Sequence, residues 1–223
     1  LTAVSIWHSD ESRLADYTEP REPHMLTASQ WWDTEWRTLP AHRQDLKAAA
    51  RQALNLQYAG DPAPLTDALT RAGWRTPTAL SLASSLQWLA PRPNPELLPV
   101  LPQVHDGQHD VLRLERPAAD GQRLYLLRLW PSHSQLQGQA TPVWVGSVSE
   151  LHVRQQLRLF TYLINRSDSD ESLDTLQRDI GTAFIVAERQ GVEDQGNVLL
   201  VRDRCAGARI HLSSGRHHLI ASS

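Results

Sequence analysis

Between residues 110 and 159 apolar and polar side chains alternate, and that period of two leaves little room for helix. Leu112 and Leu114 alternate with Arg113 and Glu115, and a turn containing Asp120-Gly121 follows. Leu124, Leu126 and Leu129 mark a returning strand, so 110–130 reads as a β-hairpin with a longish loop. A polar loop over 131–141 leads to a third strand at Val143, Val145 and Val148. Leu151, Val153, Leu157 and Leu159 alternate with His152, Arg154, Gln156 and Arg158 to give a fourth.

Helical signals flank this stretch. Thr27-Ala28-Ser29-Gln30 has the form of a capping box, so a short helix carrying Trp31, Trp32 and Trp36 is expected to stop before Pro40. Residues 43–53 favour helix by propensity. Leu54, Leu56 and Tyr58, alternating with Asn55 and Gln57, read as a half-buried strand ending at Gly60. Asp61 as cap, Pro62 in the first turn, a Leu65/Ala68/Leu69/Ala72 stripe and Gly73 at the end define the next helix. A helix around 79–89 places Leu82, Leu86 and Leu89 on one face, and Pro91, Pro93, Pro95, Pro99 and Pro102 then exclude regular structure. Leu173, Leu176, Ile180, Ala183 and Phe184 form a last helical stripe, expected to run through Gly181 and end at Gly191, before a short strand at Val198–Val201. The pattern predicts an α+β fold, a mainly antiparallel sheet with helices packed on one face. Residues 1–26, acidic and proline-broken, read as a linker, and 27–223 as a single domain.

Composition narrows the classes of function. A net charge of -3 carries no basic excess to follow phosphates, which argues against nucleic acid as a partner. The longest apolar runs, Leu97–Leu101 and Val198–Val201, fall far short of the ~20 residues of a membrane helix. A lone Cys205 excludes an internal disulfide and an all-cysteine zinc site. The chain opens at Leu1 with its only methionine at Met25, so either a signal peptide was removed or the chain is an excised domain. Lys47 is the single lysine among 22 basic residues, a bias that suggests a GC-rich bacterial coding sequence.

His105-Asp106-Gly107-Gln108-His109-Asp110 is the densest titratable run. His105 and His109 with Asp106 have the chemistry to ligate a metal or to pair a carboxylate with an acid–base histidine. The same residues also make an ordinary polar turn entering a hairpin. Arg113 and Arg128 fall on one side of the expected hairpin, either as a phosphate or carboxylate clamp or as a solvated sheet face, with Arg123 on the same strands. Trp130 and Trp144 lie on neighbouring strands, as cross-strand packing or as a ligand platform. Trp31, Trp32 and Trp36 are either core residues or a bilayer-interface group. His211, His217 and His218 belong to a frayed tail, Cys205 has no activating context, and no Gly-x-Ser-x-Gly elbow is present.

Several of these segments together resemble a known family. LNLQYAG (54–60), AGWRTP (72–77), LPQVHDGQHDVLRLERP (101–117), LLRLWPS (126–132) and TPVWVGSV (141–148) resemble the LssY C-terminal domain, over roughly residues 27–202. WWDTEWRTLPAHRQDL (31–46) is similar to the lead-in seen where that domain closes a bacterial membrane protein with DedA-like and type 2 phosphatidic acid phosphatase regions. The resemblance implies a missing N-terminal membrane portion of the same polypeptide, which holds the phosphatase chemistry. The Lys-x6-Arg-Pro and Ser-Gly-His phosphatase motifs are absent, and Lys47 is followed by no Arg-Pro. Many such domains carry a paired histidine followed by acidic residues after the VWVG strand. This chain has Thr161-Tyr162-Leu163-Ile164 there, followed by Asp168 and Asp170.

The resulting expectation is a non-catalytic accessory domain of a membrane-bound lipid-phosphate phosphatase, on the periplasmic side (alternatively cytoplasmic), with lipid head groups or a protein as partner. No cofactor is expected. The expected binding residues are His105, Asp106, His109, Arg113, Arg128, Trp130 and Trp144. Two alternatives stay open: a metal-dependent hydrolase using His105-Asp106/His109-Asp110, and a purely structural protein-interaction domain.

Overall fold

A computed structural model describes residues 22–44, 52–79, 98–121, 123–156, 160–166, 170–192 and 194–204. The expected helix at 79–89, most of that at 43–53, the proline run before Leu98, Leu157 and Leu159, Asp168, Cys205 and the C-terminal histidines lie outside the described residues.

Among the described residues, ten strands and three α-helices follow in chain order. They are β1 (His24–Leu26), α1 (Ala28–Asp33), β2 (Leu56–Ala59), α2 (Pro62–Arg71), β3 (Val104–His105), β4 (Gln108–His109), β5 (Leu112–Pro117), β6 (Arg123–Leu136), β7 (Pro142–Gln156), β8 (Phe160–Arg166), α3 (Asp170–Ile180), β9 (Phe184–Gln190) and β10 (Asn197–Asp203). Short 3-10 turns occupy Glu35–Thr38 after α1 and Gly181–Ala183 after α3.

Eight strands build one curled sheet along the path β1-β6-β7-β2-β10-β9, with β5 added to β6 and β8 added to β7. The expected hairpin is present as β5–β6, with Leu112 opposite Leu129 and Pro117 opposite Leu124. The expected mainly antiparallel sheet with helices on one face is overturned: the sheet is mixed, strands predominate over helices, and both faces carry helix. β1 runs parallel to the far half of β6, and β10 runs parallel to β2. These ladders join segments far apart in sequence, so local alternation carries no sign of them. α2 and α3 cover one face, burying Leu65, Leu69, Leu173, Leu176 and Ile180 against Leu127, Leu129, Trp144 and Leu199. On the opposite face α1 and its 3-10 turn bury Trp31 and Trp36 against Trp130, Val145, Val198 and Leu200.

Local signals fixed several elements as expected. Thr27 and Gln30 form the reciprocal capping box that starts α1. Asp61 accepts the Ala63 amide at 2.9 Å, Pro62 opens α2, and Leu65, Ala68 and Leu69 are its buried stripe. Other boundaries differ. β6 does not end in a loop at Pro131 but continues to Leu136, its register shifting between Pro131 and Gln135, where proline is tolerated. The third and fourth strands expected from alternation are one strand, β7. The helical stripe stops at Ile180, since Gly181 takes φ +60 and Phe184 onward is the edge strand β9. His24–Leu26, inside the stretch read as linker, is β1. β2 is buried on both faces instead of half-buried, because its polar residues are bonded internally. Gln57 accepts the Trp31 indole N–H at 3.0 Å and donates to the Trp36 carbonyl at 2.8 Å.

Candidate binding site under the 98–111 strap

Residues 98–111 cross the α1 face of the sheet as a strap with little regular structure of its own. Its tip is a two-residue hairpin. Asp106 at φ 48 and Gly107 at φ 76 make the doubly left-handed turn that Asp-Gly favours, pairing His105 with Gln108 and Val104 with His109. The pairing continues downward, since the Asp110 amide donates to the Gln103 carbonyl at 3.0 Å.

Such a strap leaves carbonyls that need donors, and long side chains supply them. Arg113 donates to the Val100 carbonyl at 2.9 Å, Arg128 to that of Leu101 at 2.9 Å, Trp130 to that of Gln103 at 3.2 Å and Arg43 to that of Val104 at 2.8 Å. Arg113 and Arg128 stand directly opposite each other in the β5–β6 register, as alternation implied. Like charges so placed repel. Asp110 resolves the conflict, because its fully buried carboxylate accepts from Arg113 Nε at 3.1 Å and pairs with Arg128 Nη1. Arg128 is 3% exposed, and burial pulls its guanidinium down to about 10, against the pull of Asp110 in the other direction. It stays charged at neutral pH.

The histidine–aspartate run is divided among different environments. His105 is buried edge-on against Trp130, with ring centroids 5.9 Å apart, and its Nδ1 accepts the Gln44 amide at 3.1 Å. Burial lowers its pKa, and the nearby charges of Arg43 and His133 push the same way against Asp106. Asp106 is exposed at the hairpin tip, 2.6 Å from His133 Nε2 on β6. His109 is exposed on β4. Among the described residues no group of three or more His, Cys, Asp or Glu side chains is placed to hold a metal. Trp130 and Trp144 do not pack on one another: Trp130 belongs to the α1 face, whereas Trp144 lies on the α2/α3 face and donates to the Gly60 carbonyl at 3.0 Å.

The structure thus gathers Arg113, Arg128 and Trp130 under the strap with His105 of the strap itself, leaves Asp106 and His109 at its rim, and sends Trp144 elsewhere. It adds Asp110 at the centre, with Gln44, Gln103 and His133. The signal for Asp110 was present in the turn: once Asp106-Gly107 is a two-residue hairpin, counting outward sets Asp110 opposite Gln103. Arg123 points away from Arg128 to the α2/α3 face, meeting Glu150 at 3.0 Å and Glu171 at 3.1 Å. There Tyr125 donates to Glu171 at 2.7 Å and His152 lies 2.7 Å from Glu150. The bond from Tyr125, then that from Arg123, holds the Glu171 carboxyl below its usual value. This contact depends on where α3 docks, which no short-range pattern encodes.

No curated protein and no solved structure matches this chain. A family model described as the LssY C-terminus matches residues 36–199, from the 3-10 turn after α1 to the middle of β10 and well over half of the chain. The matched span contains α2, the strap and the paired strands β5 to β8, and on that match the chain belongs to the LssY C-terminal family.

Proposed function

We propose that this domain is a non-catalytic accessory module of a membrane-embedded lipid-phosphate phosphatase, borne on the periplasmic side and engaging lipid head groups or a protein partner. The supporting observation is how its densest polar cluster is used. Asp110, Arg113, Arg128 and Trp130 direct polar atoms at one another and at the backbone of the strap, and His105 accepts the backbone amide of Gln44. A general base or nucleophile must keep a lone pair aimed at a substrate position. The carboxylate of Asp110 is instead enclosed between two guanidiniums. The exposed polar groups of this cluster are confined to its rim, at Asp106, His109 and His133.

The test compares three proteins in the same membranes or buffer: the complete polypeptide, the polypeptide truncated before this domain, and this chain alone. Phosphatidic acid hydrolysis is expected from the first two, with altered rate or location in the truncated form, and none from the third. Hydrolysis by this chain alone, or an upstream reading frame with no membrane-embedded phosphatase, overturns the proposal.

A further inference from the structure

Where β9 ends the sheet, the α1 face carries three arginines absent from the ion pairs found among the described residues. Arg202 on β10 lies over the Trp32 ring at 4.4 Å, and Arg37 lies over Trp36 at 4.6 Å. Phe184 and Val186 turn to the α2/α3 core, which puts Ile185, Ala187 and Arg189 on the α1 face. There they stand in register opposite Arg202, Leu200 and Val198. Trp32, Ile185, Ala187, Arg189 and Arg202 are all part-exposed and Arg37 is exposed, so aromatic, aliphatic and guanidinium surface forms one band. The Nε groups of Arg189 and Arg202 are buried without a hydrogen-bond partner. The α1 segment itself carries Asp33 and Glu35 beside Arg37, and β9 and β10 add Arg189 and Arg202 to this face.

We propose that this band is a docking surface for an anionic phospholipid bilayer. The inference deepens the reading above by naming the partner and the face that meets it. Guanidiniums match phosphate geometry, tryptophan favours the head-group level, and basic residues near an anionic leaflet add attraction that salt removes. An acidic protein partner is the competing occupant. The part-exposed Trp32 and Ile185 between the charges favour a surface that accepts apolar and anionic groups together.

The whole chain is sedimented with vesicles of phosphatidylcholine alone, and with vesicles of phosphatidylcholine and phosphatidylglycerol in equal parts. Binding is expected only to the second and is expected to be lost in high salt. Arg37→Glu and Arg189→Glu each lower the partition coefficient by on the order of fivefold or more. Arg37→Lys retains binding, and Arg178→Glu, exposed on α3 across the sheet, leaves it unchanged. Circular dichroism confirms that each variant is folded. Equal binding to both vesicles, no binding, or equal loss in Arg178→Glu overturns the proposal. Vesicle binding is read on this chain and phosphatase activity on the complete polypeptide, so either proposal can fail while the other stands.

Discussion

Replacing Asp110 by alanine removes the group that reconciles two facing arginines, and its cost follows from what remains. Arg128 keeps the Leu101 carbonyl as a partner at 2.9 Å, but its Nε has none, and only 3% of the residue reaches solvent. Breaking a buried pair by removing one partner costs about 3–5 kcal/mol. The neighbouring Arg113, opposite in register, adds repulsion that Asp110 no longer screens. The Gln103 amide loses only a long bond of 3.4 Å, a minor contribution. We therefore expect a loss of about 4 kcal/mol, read as a fall in the urea midpoint, and on the order of 10 °C in Tm at this chain length. The double variant Asp110→Ala/Arg128→Met removes both charges and is expected to recover most of the loss, since an apolar replacement of a buried pair is close to neutral. Urea titrations monitored by tryptophan fluorescence measure both variants together with Arg128→Met and the wild type. A loss under about 1 kcal/mol for Asp110→Ala, or simple additivity in the double variant, refutes the reasoning.

His105 gives a pH dependence of defined sign. Burial lowers its folded-state pKa below the unfolded value near 6.5, so the unfolded chain binds the proton more readily. Its contribution is full above that value and is lost as the pH falls below it. Urea midpoints should therefore drop between about pH 7 and about pH 5, and His105→Asn, whose amide oxygen can accept from Gln44, should flatten this drop. Gly146 lies where a Cβ would meet the Arg128 carbonyl oxygen at 2.5 Å and Leu129 Cδ2 at 2.6 Å. Gly146→Ala should cost about 1–3 kcal/mol in thermal unfolding, whereas a variant as stable as wild type would show that β6 and β7 part easily. Gln57→Leu strands the Trp31 indole N–H and the Trp36 carbonyl, with an expected loss of about 1–3 kcal/mol in urea titration.

What the sequence disclosed was local chemistry. The capping box at Thr27 and Gln30, the Asp61-Pro62 start of α2 and the β5–β6 hairpin each depend on residues a few positions apart, and each was legible. The alternation that placed Arg113 and Arg128 on one side was legible for the same reason. Ile180, Ala183 and Phe184 fit a helical period as well as a helix ended at Gly181 followed by a strand, so β9 was hidden. Pro131-Ser132-His133-Ser134 has the composition of a loop, yet β1 arrives from 110 residues upstream in register with its end, His24 opposite Ser134. Asn55 and Gln57 resembled the wet side of a strand. They are buried because Val148, Trp31 and Trp36 meet their hydrogen bonds, an arrangement visible only after folding. Among the candidate site residues, the turn chemistry of Asp106-Gly107 was readable, while the central place of Asp110 and the opposite faces of Trp130 and Trp144 depended on the register of three strands.

Hydrolytic assay of the purified, tag-free chain bears most directly on the claim that the strap cluster holds the fold and performs no chemistry. Phosphatidic acid and p-nitrophenyl phosphate would each be offered with magnesium, manganese or zinc in turn, alongside measurement of bound metal. The account predicts release of phosphate no faster than in buffer, with no stoichiometric metal retained. Turnover that disappears in His109→Ala, a substitution at an exposed position the core does not need, would contradict it.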